Sequence, residues 1–421
     1  MDQGNTAFLL ICSALVLLMT PGLAFFYGGL VKAKSVISMM MLSFGAIGLI
    51  GVLWVLYGYA IAFANNVGVD GVIGIDTGAL GLTSLLEAPE GAAFPPLAFA
   101  AFQATFAIIT VALISGAIAD RAKFGAWMLF AGLWATIVYF PVASWVFNFT
   151  LDPETLAFTD GGWITYGMQE FFGVGAIDFA GGTAVHINAG AAALALALVL
   201  GKRVGFAKGA HVPHNPPFVL LGAGLLWFGW FGFNAGSQLA ADGVAALAFV
   251  NTIAAPAAAL LAWLIVEKVK DGKPTSVGAA SGAVAGLVAI TPACASLTPV
   301  WAIVLGLLAG TMCALAVDLK FKFGFDDSLD VVGIHLVGGL IGTLYLGFFA
   351  NGTGFIYSGS LTQLLVQAIA AFAVMIYSFV MAYVIGTAIE KTIGFRVTEE
   401  DEIAGIDPTV HGEAGYVLDA R

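Results

Sequence analysis

Long apolar runs are the feature of this sequence that most limits its fold. About eleven runs are each long enough to cross a bilayer as a helix, which takes about 20 residues. In lipid, every backbone N–H and C=O group must be paired within the spanning structure, so only helices or a closed barrel are possible. Runs of this length lack the alternating pattern of barrel strands. The segments are 6–30, 36–63, 97–119, 125–148, 178–200, 217–240, 245–266, 276–296, 299–319, 331–350 and 362–389.

Composition excludes an ordinary soluble domain. Of the 421 residues, 60% are hydrophobic and only 10% are charged, whereas soluble proteins carry roughly 25% charged residues. Residues 1–5 contain Asp2 and no Lys or Arg, so we interpret the first apolar segment as a retained span rather than a signal peptide. We therefore predict an all-α polytopic protein of the cytoplasmic membrane, surrounded by lipid, with about eleven transmembrane helices.

The basic residues predict an orientation. With the N-terminus outside, all 15 Lys and Arg residues lie in inner loops or in the C-terminal tail, as cytoplasmic loops favour. An odd number of spans leaves the tail in the cytoplasm, so we divide the chain into a transmembrane domain, 1–389, and a cytoplasmic tail, 390–421. The outer loops are acidic and would modestly concentrate a cation. Their carboxylates are Asp70, Asp76, Glu87, Glu90, Asp152, Glu154, Asp160, Glu170 and Asp242.

A weak internal symmetry suggests how the helices are arranged. The fifth and tenth segments each carry one histidine after an acidic residue and glycine: Asp178 precedes His186, and Asp330 precedes His335. Because five is odd, a repeat of five helices must be inverted in the membrane. Inverted repeats are common in transporters, whose sites lie near the midplane between the two halves.

The same two histidines are the strongest pointer to function. We predict the fifth helix to begin at Asp178, which places His186 about 12 Å along it and close to mid-membrane. Ionisable groups at this depth commonly line a solute or proton path, and histidine titrates closest to physiological pH. A core histidine paired with a neighbouring helix is the alternative. If His186 and His335 meet, they can share a hydrogen bond.

A second set of candidates lies near the outer ends of the segments. The ring faces of Phe106 and Phe233 can attract a partly dehydrated cation, and the Ser237 hydroxyl can accept a hydrogen bond from it. Gln103 lies one turn before Phe106. Plain packing is the alternative for any one of 33 phenylalanines. Asp178 is predicted to cap the first turn of its helix.

Enzymatic and metal chemistry find little support in the sequence. No third or fourth Cys, His or carboxylate ligand lies close to either histidine on its own helix, which argues against a metal site. The three cysteines, Cys12, Cys294 and Cys313, are widely spaced in apolar stretches. No nucleophile set or cofactor motif accompanies the histidines. We expect no catalytic residues, no metal, no cofactor and no nucleic-acid partner.

Four motifs resemble the ammonium transporter family (Amt/Mep/Rh), in its bacterial Amt type, and the resemblance runs nearly from end to end. They are TPGLAFFYGGL at 20–30, DFAGGTAVHIN at 178–188, GWFGFNAGS at 229–237 and DDSLDVVGIH at 326–335. The resemblance implies eleven spans, an outside N-terminus and a homotrimer with one pore per subunit. It also implies that the transported solute is ammonium or ammonia.

At the outer end, the resemblance implies that Phe106 and Phe233 form a stacked aromatic gate and that Ser237 supplies a recruitment hydroxyl. One position departs from the family pattern. Many members have a Trp in the outer aromatic wall where this chain has Phe147, with Trp145 two residues earlier. A phenyl face binds cations less well than an indole face, so the affinity of the outer site does not follow from the resemblance.

Deeper in the membrane, the resemblance implies that His186 and His335 are twin histidines lining the pore. Asp178 matches the family's buried aspartate near the recruitment site. The tail and the 326–330 loop match the cytosolic face on which PII-type signalling proteins dock in many bacterial members. From the sequence alone, the tail can equally be a solvated charged strip.

These residues lead to one hypothesis and three rivals. Ammonium is recruited at the outer aromatic and serine site, loses its proton before or at the histidine pair, and passes on as ammonia. The reason is that a cation at mid-membrane costs at least about 2.5 to 3.5 kcal/mol. The rivals are an ammonium sensor that signals through a cytosolic partner, a membrane enzyme using the paired histidines, and a neutral-gas channel.

Overall fold

The structure is a mostly helical membrane bundle. It is a computed structural model that describes residues 1–63, 68–151, 158–206 and 212–416. Within these ranges, ten helices are long and apolar enough to cross a membrane, and an eleventh, α8, is shorter. The helices are α1 (Gln3–Leu30), α2 (Ala33–Ala62), α3 (Pro96–Ile118), α4 (Phe124–Phe147), α5 (Gly182–Leu200), α6 (Pro216–Gly236), α7 (Gly243–Lys270), α8 (Ser276–Ile290), α9 (Pro299–Phe323), α10 (Val332–Phe349) and α11 (Thr362–Thr392).

The predicted polytopic all-α fold is confirmed, whereas the number of crossings and the orientation stay predictions. We call the end of the bundle at Gln3 the outer end and the opposite end the inner end. The predicted eighth segment, 276–296, is helical only as far as Ile290. Beyond it the chain turns, and the buried Asn251 amide on α7 donates to the carbonyls of Cys294 and Leu297.

The fifth helix begins four residues later than the sequence predicted. It starts at Gly182 and not at Asp178. Gly181 has a positive φ of 110°, a backbone conformation that favours glycine and that a regular helix cannot include. Its first turn, Gly182–Ile187, is π-helical. His186 therefore lies in the first turn of α5. The prediction that about 12 Å of helix precedes it is wrong.

Two small antiparallel hairpins cover the outer end. In the first, β1 (Gly68–Val69) pairs with β2 (Ile73–Gly74), and in the second, β3 (Phe149–Leu151) pairs with β4 (Phe158–Gly161). The connections that carry them touch, because the Trp163 N–H group donates to the carbonyl of Gly71 at 3.0 Å. Asp152 and Glu154, two of the predicted outer carboxylates, lie outside the described residues.

The chain after α11 folds back over the inner loops. The Lys123 N–H group donates to the Phe395 carbonyl at 2.9 Å, and the Val397 N–H group donates to the Arg121 carbonyl at 2.9 Å. Farther along, the Asp407 carboxylate accepts hydrogen bonds from the N–H groups at the start of α2, at residues 37 and 38. The division at residue 389 stays a prediction, and α11 itself runs on to Thr392.

The packing of the helices agrees with two related halves, although the inverted repeat stays a prediction. α1, the first helix of one half, packs along α6, the first of the other. α5 and α10, the helices that carry the histidines, meet at Gly190, where an added Cβ atom would lie only 2.5 Å from the Leu336 nitrogen. Only glycine fits such a close approach.

Candidate functional site

The two histidines meet inside the bundle. Nδ1 of His186 and Nδ1 of His335 are 3.2 Å apart, within hydrogen-bonding distance. The two rings are nearly parallel, with centroids 5.2 Å apart and an interplanar angle of 24°. Both side chains are buried, with 1% and 3% of their surface exposed. The predicted meeting of the two imidazoles is confirmed.

Each histidine is positioned by an aspartate eight residues before it, at 178 and 186 and again at 327 and 335. Asp178 accepts hydrogen bonds at 2.9 to 3.0 Å from the N–H groups of residues 181, 183 and 184, at the start of α5. Asp327 accepts from the N–H groups of residues 331 and 332, at the start of α10, at 3.1 and 2.7 Å. A carboxylate satisfies the unpaired N–H groups of a helix start and favours its dipole.

Asp330, which the sequence pattern paired with His335, does not take this position. Its carboxylate pairs with the Lys320 ammonium at the inner surface. The residue equivalent to Asp178 is Asp327, which is 1% exposed. The equal spacing of eight residues was the signal in the sequence that could have identified Asp327.

Three phenyl rings lie on the outer side of the histidines. Phe106 and Phe233 stack face to face, with centroids 4.1 Å apart and an interplanar angle of 11°. Phe147 meets Phe106 edge to face at 6.1 Å, and the Phe233 ring also contacts His186 at 6.2 Å. The aromatic residues and the histidine pair therefore form one continuous column.

The other predicted outer residues differ in where they lie. Ser237 Oγ donates to the Phe233 carbonyl at 2.8 Å, so its lone pairs are left to accept. Gln103 is buried, and its Oε1 has no hydrogen-bond partner among the described residues. Trp145 contacts other residues than the stacked phenyl rings: its indole N–H donates to the Val72 carbonyl, and its ring packs on Trp163 and Tyr377.

A small cavity of about 10 Å³ lies beside the histidine pair, close to the volume that one water-sized molecule needs. Trp230 lies in its wall, stacked on His186 at 5.4 Å, with its N–H donating to Thr291 Oγ1 at 2.8 Å. Sequence reasoning missed Trp230, although it lies inside one of the family-like motifs. The remaining lining residues are Met19, Leu23, Phe26, Ile109, Leu113, Val185, Leu226, Phe233 and Val284.

Buried charges support the inner end. The Arg203 guanidinium donates to both Asp326 carboxylate oxygens at 2.9 Å and to Asp120 at 3.2 Å. Burial acts to raise the pKa of Asp326, but the hydrogen bonds and charge of Arg203 outweigh it and lower that pKa. Arg121, 0% exposed, donates to the carbonyls of Ala117 and Asp326 at 3.0 and 2.6 Å.

No group of three or more His, Cys, Asp or Glu side chains in the described ranges could hold a metal ion. The described residues instead place a small, mostly apolar cavity beside two hydrogen-bonded imidazoles, and two stacked phenyl rings lie on the outer side of these imidazoles.

Comparison with known proteins identifies the family. Residues 7–416 match the Ammonium Transporter Family. The ammonium transporter of Mycobacterium tuberculosis is 54% identical over 99% of this chain and 90% of its own length. That of Bacillus subtilis is 44% identical over 99% of both.

Solved structures agree. A protein named Sensor Amt Protein superposes with a TM-score of 0.86 at 28% identity, over 96% of this chain and 98% of its own. Mep2 of Saccharomyces cerevisiae superposes with a TM-score of 0.82 at 34% identity, over 95% and 91%. The protein is thus a multi-pass protein of the cell membrane and not an enzyme. The family match covers nearly the whole chain, which therefore belongs to the ammonium transporter family.

Proposed function

We propose that the protein recruits ammonium at the outer rings, passes its proton to the His186 imidazole, and conducts ammonia and that proton separately along the histidine pair into the cell. One observation carries this proposal. Phe233 stacks on Phe106 on one side and contacts the His186 ring on the other. A molecule that moves inward from Phe147 would therefore meet the two stacked rings of the gate directly before the histidines.

Recruitment depends on Phe147 and Ser237. The Phe147 ring stands edge to face with Phe106, and an aromatic face attracts a cation by about 0.5 to 2 kcal/mol. Ser237 already uses its hydroxyl hydrogen on the Phe233 carbonyl, so its oxygen offers only lone pairs. A cation with N–H donors is favoured by such an acceptor.

Loss of the proton follows from the character of the cavity. Its lining is apolar except for the two imidazoles and the Trp230 indole, whose N–H already donates to Thr291. A buried charge without a partner costs far more than a buried neutral molecule. Ammonia of the size of one water molecule therefore suits this cavity, and ammonium does not.

The histidines supply the polar contacts that neutral ammonia needs. His186 Nε2 is buried and has no partner among the described residues, and buried polar atoms are nearly always hydrogen-bonded in proteins. Ammonia, which both donates and accepts, can satisfy this nitrogen as it passes. The pair therefore lowers the free-energy cost of moving a small polar molecule through apolar surroundings.

Ammonium-evoked currents on a solid-supported membrane test the role of the histidines. Wild type, His186→Ala and His335→Ala would be reconstituted at matched protein density, with potassium pulses as the control. We expect a current with ammonium in wild type and a large loss in both variants. Unchanged currents in both variants would refute the histidine role. Ammonium uptake without current in wild type would indicate passage of the neutral gas instead.

The outer site has its own test. Because indole binds cations more strongly than phenyl, Phe147→Trp should lower the half-saturating ammonium concentration by roughly two- to five-fold. Phe171→Trp is the matched control, since Phe171 is an outer phenylalanine that is 82% exposed. An equal effect of both substitutions would remove Phe147 from the recruitment site.

We further propose a homotrimer and a cytosolic PII-type partner on the inner loops and tail, 390–421. The proposal is supported by family membership and by the tail's contacts with the inner loops. Likeness to a solved Sensor Amt Protein favours a sensing role as the second candidate function. Pull-down of partners by His186→Ala, with and without ammonium, tests it. Ammonium-dependent capture without transport would support sensing, and capture that ignores ammonium would oppose it.

A further inference from the structure

Two glutamines of α11 lie buried inside the bundle. Gln363 and Gln367 are 1% and 0% exposed and lie one helical turn apart on a largely apolar helix. They face residues 175–177, a non-helical stretch that leads to Asp178. Non-helical backbone at this depth needs protein partners because lipid offers none.

One amide group pairs both backbone groups of a single residue. Gln367 Oε1 accepts from the Ile177 N–H group at 2.7 Å, and Gln367 Nε2 donates to the Ile177 carbonyl at 2.8 Å. Gln367 Nε2 also donates to the Thr343 carbonyl of α10 at 3.2 Å. Gln363 Nε2 donates to the Gly175 carbonyl and to Gln367 Oε1, at 3.1 and 3.2 Å. We call these two side chains the amide clamp.

The amide clamp holds the chain immediately before Asp178. On the other side of Asp178, the Phe179 N–H group donates to the Pro292 carbonyl at 3.2 Å. The Asp178 backbone therefore lies between two fastened residues, and its carboxylate accepts from the N–H groups at the start of α5. Hydrogen bonds to the residues before and after Asp178 therefore fix the orientation of its side chain.

The held segment reaches the proposed recruitment ring. Gly181 donates its N–H to Asp178 Oδ1 at 3.0 Å, and a Cβ atom on Gly181 would lie 3.6 Å from Phe147 Cζ. A shift of Asp178 would therefore move the Gly181 backbone, which lies close to the Phe147 ring.

We propose that Gln367, supported by Gln363, is a positioning residue for ammonium recruitment. It touches neither ammonium nor the gate rings. It orients Asp178 and, through Gly181, the backbone that lies close to the Phe147 ring. This inference depends on the recruitment role proposed above for Phe147.

The substitution Gln367→Met tests the clamp because it keeps the side-chain length while removing every hydrogen bond of the amide. We expect the half-saturating ammonium concentration to rise at least about ten-fold, with the maximal current within about three-fold of wild type. A purely structural role would reduce the amount of folded protein and the maximal current, and would leave half-saturation unchanged.

Ser378→Ala is the matched control. Ser378 lies on the same helix, is buried, and donates to the Asn188 carbonyl of α5 at 2.7 Å, so the variant also removes a buried hydrogen bond between α11 and α5. We expect its half-saturating concentration to stay within about two-fold of wild type. An equal rise in Ser378→Ala and Gln367→Met would overturn the proposal.

Gln363→Met keeps the proposal testable if Gln367→Met fails to fold. It removes one bond to the segment and one to Gln367, so a smaller rise, about three-fold, is expected. Half-saturation within two-fold of wild type in every folded clamp variant would refute the positioning role. Absence of ammonium current in wild type, or an unchanged half-saturation in Phe147→Trp, would instead refute the proposed function.

Discussion

The outer start of α5 and the inner start of α10 are alike in form, but different kinds of side chain hold the chain that leads into each of them. Both begin with a π-helical turn that contains a histidine, and both are capped by an aspartate eight residues earlier. At the outer end, the chain before Asp178 is held by the neutral amides of Gln363 and Gln367. At the inner end, the chain around Asp327 is held by buried guanidinium groups.

Charge explains why the two supports differ. A buried guanidinium beside the proposed outer site would repel an arriving ammonium ion, and such repulsion is strong where water is scarce. Glutamine provides both a donor and an acceptor without a net charge. At the inner end, Arg121 and Arg203 lie beyond the histidine pair, where a neutral molecule is not repelled.

The largest expected effect comes from breaking the inner support. Asp326→Asn leaves Arg203 buried with its charge poorly compensated, which should lower the free energy of unfolding by about 3 to 5 kcal/mol. Gln367→Met at the outer end should cost less, about 1 to 3 kcal/mol, because only neutral hydrogen bonds are lost. Denaturant titration in detergent measures both. If Gln367→Met lost more unfolding free energy than Asp326→Asn, the outer support would be the stronger one.

The second largest difference is expected in how the stability that each support provides depends on pH. Because the pKa of Asp326 is lowered in the folded protein, its stabilising contribution is full above the ordinary value of about 3.9 and is lost as pH falls through the lowered value. Each unit of lowering corresponds to about 1.4 kcal/mol. The outer amides do not titrate. Plots of melting temperature against pH between pH 5 and 2 should therefore be flatter for Asp326→Asn than for wild type, and parallel plots would contradict this.

The two aspartate caps allow a smaller and closer comparison. Asp178 accepts three N–H groups and Asp327 accepts two. Loss of a cap costs about 0.5 to 2 kcal/mol, so Asp178→Ala should destabilise more than Asp327→Ala. A greater loss in Asp327→Ala would show that its deeper burial dominates.

The smallest effect is expected at the exposed inner surface. Lys270 pairs with Asp318 there, and their side chains are 44% and 47% exposed. Exposed pairs contribute about 0 to 1 kcal/mol, so Lys270→Met should change the melting temperature little. Added salt should reduce even that change. A loss as large as that of Asp326→Asn would mean that burial does not decide the strength of these pairs.

Local patterns predicted much of the fold and of the site. Apolar runs identified the spans, and opposed helices predicted that His186 and His335 meet. The start of α5 was misplaced because Gly181 adopts a left-handed conformation that composition does not reveal. The sequence pattern paired Asp330 with His335, but it is Asp327, eight residues before the histidine, that accepts the N–H groups at the start of α10.

Other parts of the site depend on contacts between distant residues. Gln367 holds Ile177 from 190 residues away along the chain, and no local motif predicts such a pair. The only signal was two polar residues one turn apart in an apolar helix. Trp145 was grouped with Phe147 by sequence proximity, but residues two apart on a helix point to opposite sides.

The distance between the two Nδ1 atoms has a further chemical consequence. A neutral imidazole carries its hydrogen on one nitrogen only, and a shared bond at 3.2 Å requires one ring to donate and the other to accept. The two histidines must therefore be opposite tautomers, so one Nε2 carries a hydrogen and the other does not. Moving a single proton between the Nδ1 atoms, with a matching exchange at the Nε2 atoms, reverses which ring donates. The pair thus has two tautomeric states, which differ in the ring that donates and in the Nε2 atom that carries a hydrogen.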